Sequence, residues 1–270
     1  MPRIKAITFD LWDTLVADDS DEPKRKARGL PTKRQHRRQL MWEALARHAP
    51  IERAAVDLAF DVADAAFNKV WREQSVTWPI AERLAVALKG LGRALPEAEL
   101  AALSMALGRM EIDIPPDVIP GAREALAELS RRYRLAIASD AIVTPGTNLR
   151  RLLDHYEMRQ FFTGFAFSDE VGHAKPHRAV FESAARQMGV ALEEMVHLGD
   201  RDHNDIKGPQ ALGMKAVLFV ATRDADRDRT SADAVCASFR ELPAVIDRLA
   251  AASESSRPTF NGGGDSPAAG

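Results

Sequence analysis

Apolar residues recur along this chain with two different periods, and the period changes near residues 16 and 114. Ile4-Lys5-Ala6-Ile7-Thr8-Phe9 is a mostly apolar run ending at Asp10 and predicts a buried β-strand. Residues 18–38 are crowded with charge and contain Pro23, Gly29 and Pro31, which predicts a loop entering a helix. Helical spacing then dominates to about residue 111. Leu40, Met41, Ala44 and Leu45 form one apolar stripe; Val56, Phe60, Ala63, Phe67, Val70 and Trp71 form a second. Ile80, Leu84 and Leu88 make a third, and Leu100, Leu103, Leu107 and Met110 a fourth, entered through Pro96. Four amphipathic helices in succession predict a small bundle.

Ile114-Pro115-Pro116 ends that pattern, and strands then alternate with helices. Helices are predicted near 121–132, 147–154, 177–188, 206–212 and 242–251. Strands are predicted at Leu135–Ala138, Phe165–Phe167, Met195–Leu198 and Ala216–Val220, with a weak one at Ala234–Cys236. Such alternation predicts an α/β fold with a doubly wound parallel sheet. The first strand therefore belongs with the C-terminal half. The expected organisation is an α/β core from 1–16 and 115–252 and an inserted all-helical unit at 17–114. The stretch 253–270 is rich in Ser, Gly and Pro and is expected to be a disordered tail.

Composition narrows the functional classes. The 270 residues carry 37 Lys and Arg against 39 Asp and Glu, a formal net charge of −2. That balance lacks the basic footprint of a nucleic-acid or membrane-surface binder. No apolar run has the length of a membrane span. The N-terminal residues lack a signal-peptide pattern, and the single Cys236 excludes an intramolecular disulfide. A cytoplasmic protein is expected, with monomer and homodimer both open.

Ligands of an open parallel sheet bind at the carboxyl ends of its strands. The first strand ends in Asp10-Leu11-Trp12-Asp13-Thr14-Leu15 and the second in Ser139-Asp140. Lys175-Pro176 follows the third, and the fourth ends in Gly199-Asp200-Arg201-Asp202-His203-Asn204-Asp205. Three groups of carboxylates, a hydroxyl and a lysine are thus predicted at one edge. Clustered carboxylates repel unless a cation sits among them, and hard oxygen ligands suit Mg²⁺. A carboxylate can also act as a nucleophile. A lysine and a metal can offset the charge of a small anionic substrate.

Over roughly residues 4–248 this layout resembles the haloacid dehalogenase superfamily. Asp10 to Leu15 matches its first motif, Ser139 its second, Lys175 its third, and Gly199-Asp200 with Asp205 its fourth. The helical stretch between the first two motifs stands where that superfamily places a C1-type cap. The resemblance implies a hydrolase that dephosphorylates a small phosphorylated metabolite through an aspartyl-phosphate on Asp10. It implies that Asp10, the backbone carbonyl of Trp12 and Asp200 hold Mg²⁺, with Asp205 among or just behind them. Ser139 and Lys175 would bind the transferring group, with Thr14 and Asp140 as further substrate contacts.

Position 12 departs from that pattern. Phosphatases of the superfamily usually carry there an Asp that protonates the leaving group and later activates water. An indole has one N–H donor and cannot do acid–base work at ordinary pH. Asp13, Asp140, Asp202 and His203 are the nearby candidates for that task. Two other readings stay open. One is a 2-haloacid dehalogenase-like hydrolase, whose halide leaving group needs no proton. The other is a catalytically weak domain that binds a ligand or partner. The complete Gly199-Asp200…Asp205 loop favours phosphoryl chemistry.

Residues 21–40 carry eight Lys and Arg against Asp21 and Glu22. This excess can act as a funnel for an anionic substrate, and Arg34 and Arg38 are the expected contacts. Trp42, Phe60, Phe67, Trp71 and Trp78 are expected in the core of the helical unit. His36, His48, His155, His173, His177 and His197 show no metal-ligand spacing and are read as incidental.

Overall fold

The structure is a computed structural model and describes residues 3–255. Six strands form one sheet: β1 (Ala6–Phe9), β2 (Arg134–Ser139), β3 (Gly164–Phe167), β4 (Met195–Gly199), β5 (Lys215–Phe219) and β6 (Ala234–Cys236). Their order is β3-β2-β1-β4-β5-β6, and every neighbouring pair is parallel. The chain direction across the sheet reverses between β1 and β4. Such a switch point opens a crevice outside the strand ends.

Between β1 and β2 the chain is helical. Its helices are α1 (Asp21–Ala27), α2 (Lys33–Ala46), α3 (Arg53–Gln74), α4 (Ile80–Gly90), α5 (Glu97–Gly108) and the single turn α6 (Met110–Asp113). The predicted stripes become their buried faces. Met41, Leu45, Phe60, Leu84, Leu88, Leu103 and Leu107 pack into one cluster within this insertion. Burying such a side chain is worth about 1.5–3 kcal/mol, so the insertion has an apolar core of its own. Thr32 caps α2 with a reciprocal bond to Gln35. Helix α1 stands where a loop is expected. It has no apolar stripe, but Asp21 and Glu22 lie in its first turn and Lys24, Arg25 and Lys26 in its last, which suits the helix dipole.

The remaining helices cover the sheet: α7 (Ala122–Leu129), α8 (Gly146–His155), α9 (Ser168–Val171), α10 (Arg178–Met188), α11 (Gly208–Ala211) and α12 (Leu242–Ser255). The helix expected at 206–212 is a π-helical stretch, Asp202–Lys207, running into α11. Side chains alternate across β1. Ile7 and Phe9 join Leu126, Leu135 and Phe239 on one face, while Ala6 joins Ala136, Val180 and Phe181 on the other. Helix α12 runs to Ser255, three residues into the expected tail, because the run Leu249 to Ala252 continues its helical pattern. The rest of that stretch, 256–270, lies outside the described residues.

Two short segments tether the insertion, and they are bonded to each other. Ala17 N–H donates to the Asp117 carbonyl at 2.9 Å, and Ile119 N–H donates to the Leu15 carbonyl at 3.0 Å. A second tie runs from the end of α3, where the Ala174 N–H donates to the Ser75 carbonyl at 2.7 Å. Among the described residues, no helix is long and apolar enough to cross a membrane.

Candidate active site

The carboxyl ends of β1, β2 and β4 bring the predicted residues together. Asp10 leaves β1 with its N–H donated to the Leu198 carbonyl at 2.8 Å. Lys175 Nζ lies 2.8 Å from Asp10 Oδ1 and 2.7 Å from Asp205 Oδ1, and all three residues are buried. Burial works against the lysine's charge, but Asp10 and Asp205 overcome it and hold the ammonium above its ordinary pKa. Burial likewise opposes the charge of Asp205, yet Lys175 and His197 keep that carboxyl below the usual range.

His197 belongs to this chain of contacts, which corrects its reading as incidental. Its Nε2 lies 3.1 Å from Asp205 Oδ1, and its Nδ1 lies 2.9 Å from Thr8 Oγ1. A carboxylate only accepts, so Nε2 carries the proton and Nδ1 accepts from the Thr8 hydroxyl. Burial lowers the imidazole pKa and keeps the ring neutral. The signal in the sequence is a polar residue in the middle of an otherwise apolar strand. Asp205 Oδ2 accepts from the Arg201 N–H at 3.0 Å, so both its oxygens are engaged. Gly199 makes this possible, because a Cβ there would overlap the Asp205 carboxylate.

Asp200 is different. It is almost fully buried, and among the described residues its Oδ2 has no hydrogen-bond partner, with the Arg201 Nε 3.8 Å away. Burial, then Asp10 and Asp205, push its pKa up to about 8. One oxygen from each of Asp10, Asp200 and Asp205 lies within 4.8 Å of the others. An orphaned carboxylate oxygen beside two more carboxylates fits a hard divalent cation.

A cavity of about 220 Å³ opens above this cluster, between the sheet edge and the insertion. Asp10, Trp12, Asp140, Lys175 and Asp205 line it from the sheet side. Asp140 Oδ1 accepts the Lys175 N–H at 2.9 Å, and burial raises its pKa to about 6 against the pull of Lys175. Ser139 and Thr14 are fully buried with unpartnered hydroxyls, and neither lines the cavity. Asp13 faces away. Its Oδ1 accepts the Asp18 N–H at 3.1 Å, and its carbonyl accepts from the Thr222 hydroxyl at 2.5 Å.

The insertion's side of the cavity differs from expectation. Arg34 and Arg38 do not reach it; both donate to Asp61 Oδ1 on α3, at 2.6 and 2.5 Å. Helix α2 turns Lys33 and Arg37 inward instead, one residue earlier around the helix. Lys33 Nζ is bound by Asp21 at 2.8 Å and by Asp19 and Glu111 at 3.1 Å each. Lys24 pairs with Asp117. Lys24, Lys33, Arg34, Arg37 and Arg38 are thus paired with carboxylates, and of the basic run Lys33 and Arg37 are the residues that line the cavity. Trp71 also lines the cavity, with a buried, unpartnered indole N–H, rather than serving only as core. Arg201, Asn204 and Asp18 line it as well, the last unforeseen by any sequence pattern.

A family model described as "Hydrolase: haloacid dehalogenase-like hydrolase" matches residues 4–213. A glyceraldehyde 3-phosphate phosphatase of Pyrococcus furiosus is 33% identical over 134 residues, covering 48% of this chain and 55% of that protein. The human haloacid dehalogenase-like hydrolase domain-containing protein 3 is 29% identical over 136 residues, covering 49% of this chain and 53% of its own. The chain thus spans about half the length of these curated relatives. Among solved structures, a HAD phosphatase from Thermococcus onnurineus superposes with a TM-score of 0.59 at 20% identity, covering 90% of this chain and 98% of that one. A 2-haloacid dehalogenase from Pseudomonas syringae gives the same TM-score and identity, covering 91% and 99%. At that identity these two show the shared fold alone. The family match, over most of the chain and across all four strand-end groups, decides the assignment: this chain belongs to the haloacid dehalogenase-like hydrolases.

Proposed function

We propose that the protein is a Mg²⁺-dependent phosphohydrolase that removes the phosphoryl group of a small phosphate ester through an aspartyl-phosphate on Asp10. The observation that carries this reading is the pairing of a lysine-held Asp10 with an orphaned, buried Asp200 at one sheet edge. The partial similarity to glyceraldehyde 3-phosphate phosphatases supports a phosphorylated metabolite as substrate. In this reading residues 17–114 form a C1-type cap over an α/β core of 1–16 and 115–252.

Asp10, Asp200 and the backbone carbonyl of Trp12 would hold the ion. Asp205 stands behind them, since its oxygens already serve Lys175, His197 and the Arg201 N–H. Bound Mg²⁺ offsets negative charge on the phosphoryl oxygens. Lys175 ties one Asp10 oxygen and leaves the other for attack on phosphorus. The same ammonium neutralises an equatorial phosphoryl oxygen. Asp140 lines the cavity and braces the Lys175 backbone beside it, whereas the unpartnered hydroxyls of Ser139 and Thr14 stay buried outside the cavity lining.

Phosphate release from a panel of small phosphate esters in Mg²⁺, stopped by EDTA, is the expected result. A second reading, dehalogenase-like chemistry, is favoured by the aromatic Trp12. Halide release from 2-haloacids that survives EDTA would establish it and overturn the first.

Stability should respond to the same ion. The Asp200 pKa is raised, so the folded protein binds a proton there that the unfolded chain releases above about pH 4. Metal-free stability therefore falls as pH rises toward 8, where that proton is lost from the folded state too. Melting curves in EDTA should show this decline, and saturating Mg²⁺ should remove it. A pH-independent Mg²⁺ effect would count against Asp200 as a ligand.

A further inference from the structure

We propose that Asp18 is the general acid–base residue of this active site, taking over the task that Trp12 cannot perform. The inference rests on the phosphohydrolase reading. It follows from asking which carboxylate in or near the cavity is both reachable and uncommitted.

The other carboxylates are engaged. Asp10 and Asp205 hold Lys175. Asp19 and Glu111 hold Lys33, and Asp21 does so from beneath them, fully buried. Asp13 caps the Asp18 N–H and does not line the cavity. Asp202 is tied to Lys207 at 2.7 Å and to the Thr230 hydroxyl at 2.8 Å; it and His203 line an outer groove instead. Asp140 also lines the cavity and, like Asp18, gives one oxygen to a backbone N–H, but it is buried beside the Lys175 ammonium, whereas Asp18 is exposed.

Asp18 lines the same cavity as Asp10 and is itself exposed to solvent. No cation lies within ion-pairing distance of it among the described residues. Its Oδ1 accepts the Asp19 N–H at 2.9 Å, which fixes the carboxyl plane. The charged groups around it are Asp13 and Asp19 on its own loop, Lys33 and Arg37 on α2 and Glu111 on α6, with Asp10, Asp140, Lys175, Arg201 and Asp205 along the rest of the cavity. Crowding by protein, then Asp19, bring its pKa up to about 6, with Lys33 opposing. A group that titrates near the working pH is suited to giving and retaking a proton.

Both half-reactions then balance. As Asp10 Oδ bonds to phosphorus and the ester P–O bond breaks, the Asp18 carboxylic acid gives its proton to the departing alkoxide oxygen. Asp18 carboxylate next takes a proton from water while that oxygen bonds to phosphorus and the Asp10–phosphorus bond breaks. Inorganic phosphate leaves with Asp10 as carboxylate and Asp18 again protonated.

The test compares wild type, Asp18→Asn, Asp18→Glu, Asp140→Asn and Asp10→Asn on p-nitrophenyl phosphate and on alkyl phosphates, in Mg²⁺. An aryl oxide departs without a proton, and an alkoxide does not. Asp18→Asn should lower kcat on alkyl phosphates by about 10²–10³-fold, yet retain the first-turnover burst of nitrophenolate. It should also lose the decline of kcat/KM above the Asp18 pKa that wild type shows, and Asp18→Glu should recover part of the rate. The proposal is overturned if Asp18→Asn turns over alkyl phosphates within about threefold of wild type, a change too small for a lost general acid. It is equally overturned if Asp140→Asn, and not Asp18→Asn, removes that pH limb. An inactive Asp10→Asn beside an unimpaired Asp18→Asn sinks the Asp18 role alone. A wild type that releases no phosphate, or an Asp10→Asn as active as wild type, sinks the phosphohydrolase reading with it.

Discussion

Asp10→Asn is expected to abolish phosphate release, by on the order of 10⁴-fold or more. The amide matches the carboxylate in volume but offers no anionic oxygen to attack phosphorus. The same change should lower the Asp200 pKa of the metal-free protein, because Asp10 is among the charges that push it upward. Its effect on stability is opposed by the loss of the ion pair to Lys175. Loss of turnover with a weaker decline of EDTA melting temperature toward pH 8 is the paired signature. A variant that keeps its activity excludes Asp10 as nucleophile.

Lys175→Met carries the second large expectation. The ammonium is the counter-charge for two buried carboxylates, at 2.8 and 2.7 Å. Removing one partner of such a pair leaves uncompensated charge and costs about 3–5 kcal/mol. Loss of its contact to the phosphoryl oxygens should lower kcat by roughly 10²–10³-fold. The stability loss has a defined pH window. Lys175 has a raised folded pKa, so its contribution is complete below the ordinary lysine range and fades only in strong alkali. Asp205 has a lowered one, so its contribution is present above the ordinary carboxylate range and is lost as acid protonates it. Urea unfolding should thus show the full difference between wild type and variant near pH 7 and a smaller one near pH 4. Equal stability of the two proteins at pH 7 would mean that Asp10 and Asp205 do not depend on this lysine.

Much of this site is legible in the order of residues along the chain. Parallel strands expose their carboxyl ends on one edge, so strand order alone places Asp10, Asp140, Lys175 and Asp200 together. The inward side of α2 is harder to read, though it carries a signal. Lys33, Arg37, Met41 and Leu45 form one row at four-residue spacing, and the last two are core residues. Extending that row backward points Lys33 and Arg37 inward and leaves Arg34 and Arg38 for α3. Trp71 continues a similar row from Phe67 past the end of the apolar core. Asp18 has no such signal, because its place depends on how two tethers cross above β1, and no period encodes that.

The central place of β1 has a consequence for the order in which the molecule assembles. This strand comes first along the chain, yet it lies between β2 and β4, far away in sequence. Contacts among α2 to α5 are local by comparison and can form early, whereas β1 must wait for partners made much later. Asp10 meets Lys175, Asp200 and Asp205 only once β1 has found these distant partners. The electrostatic cost of gathering the carboxylates therefore belongs to the long-range pairing of the sheet and not to the local contacts of the insertion.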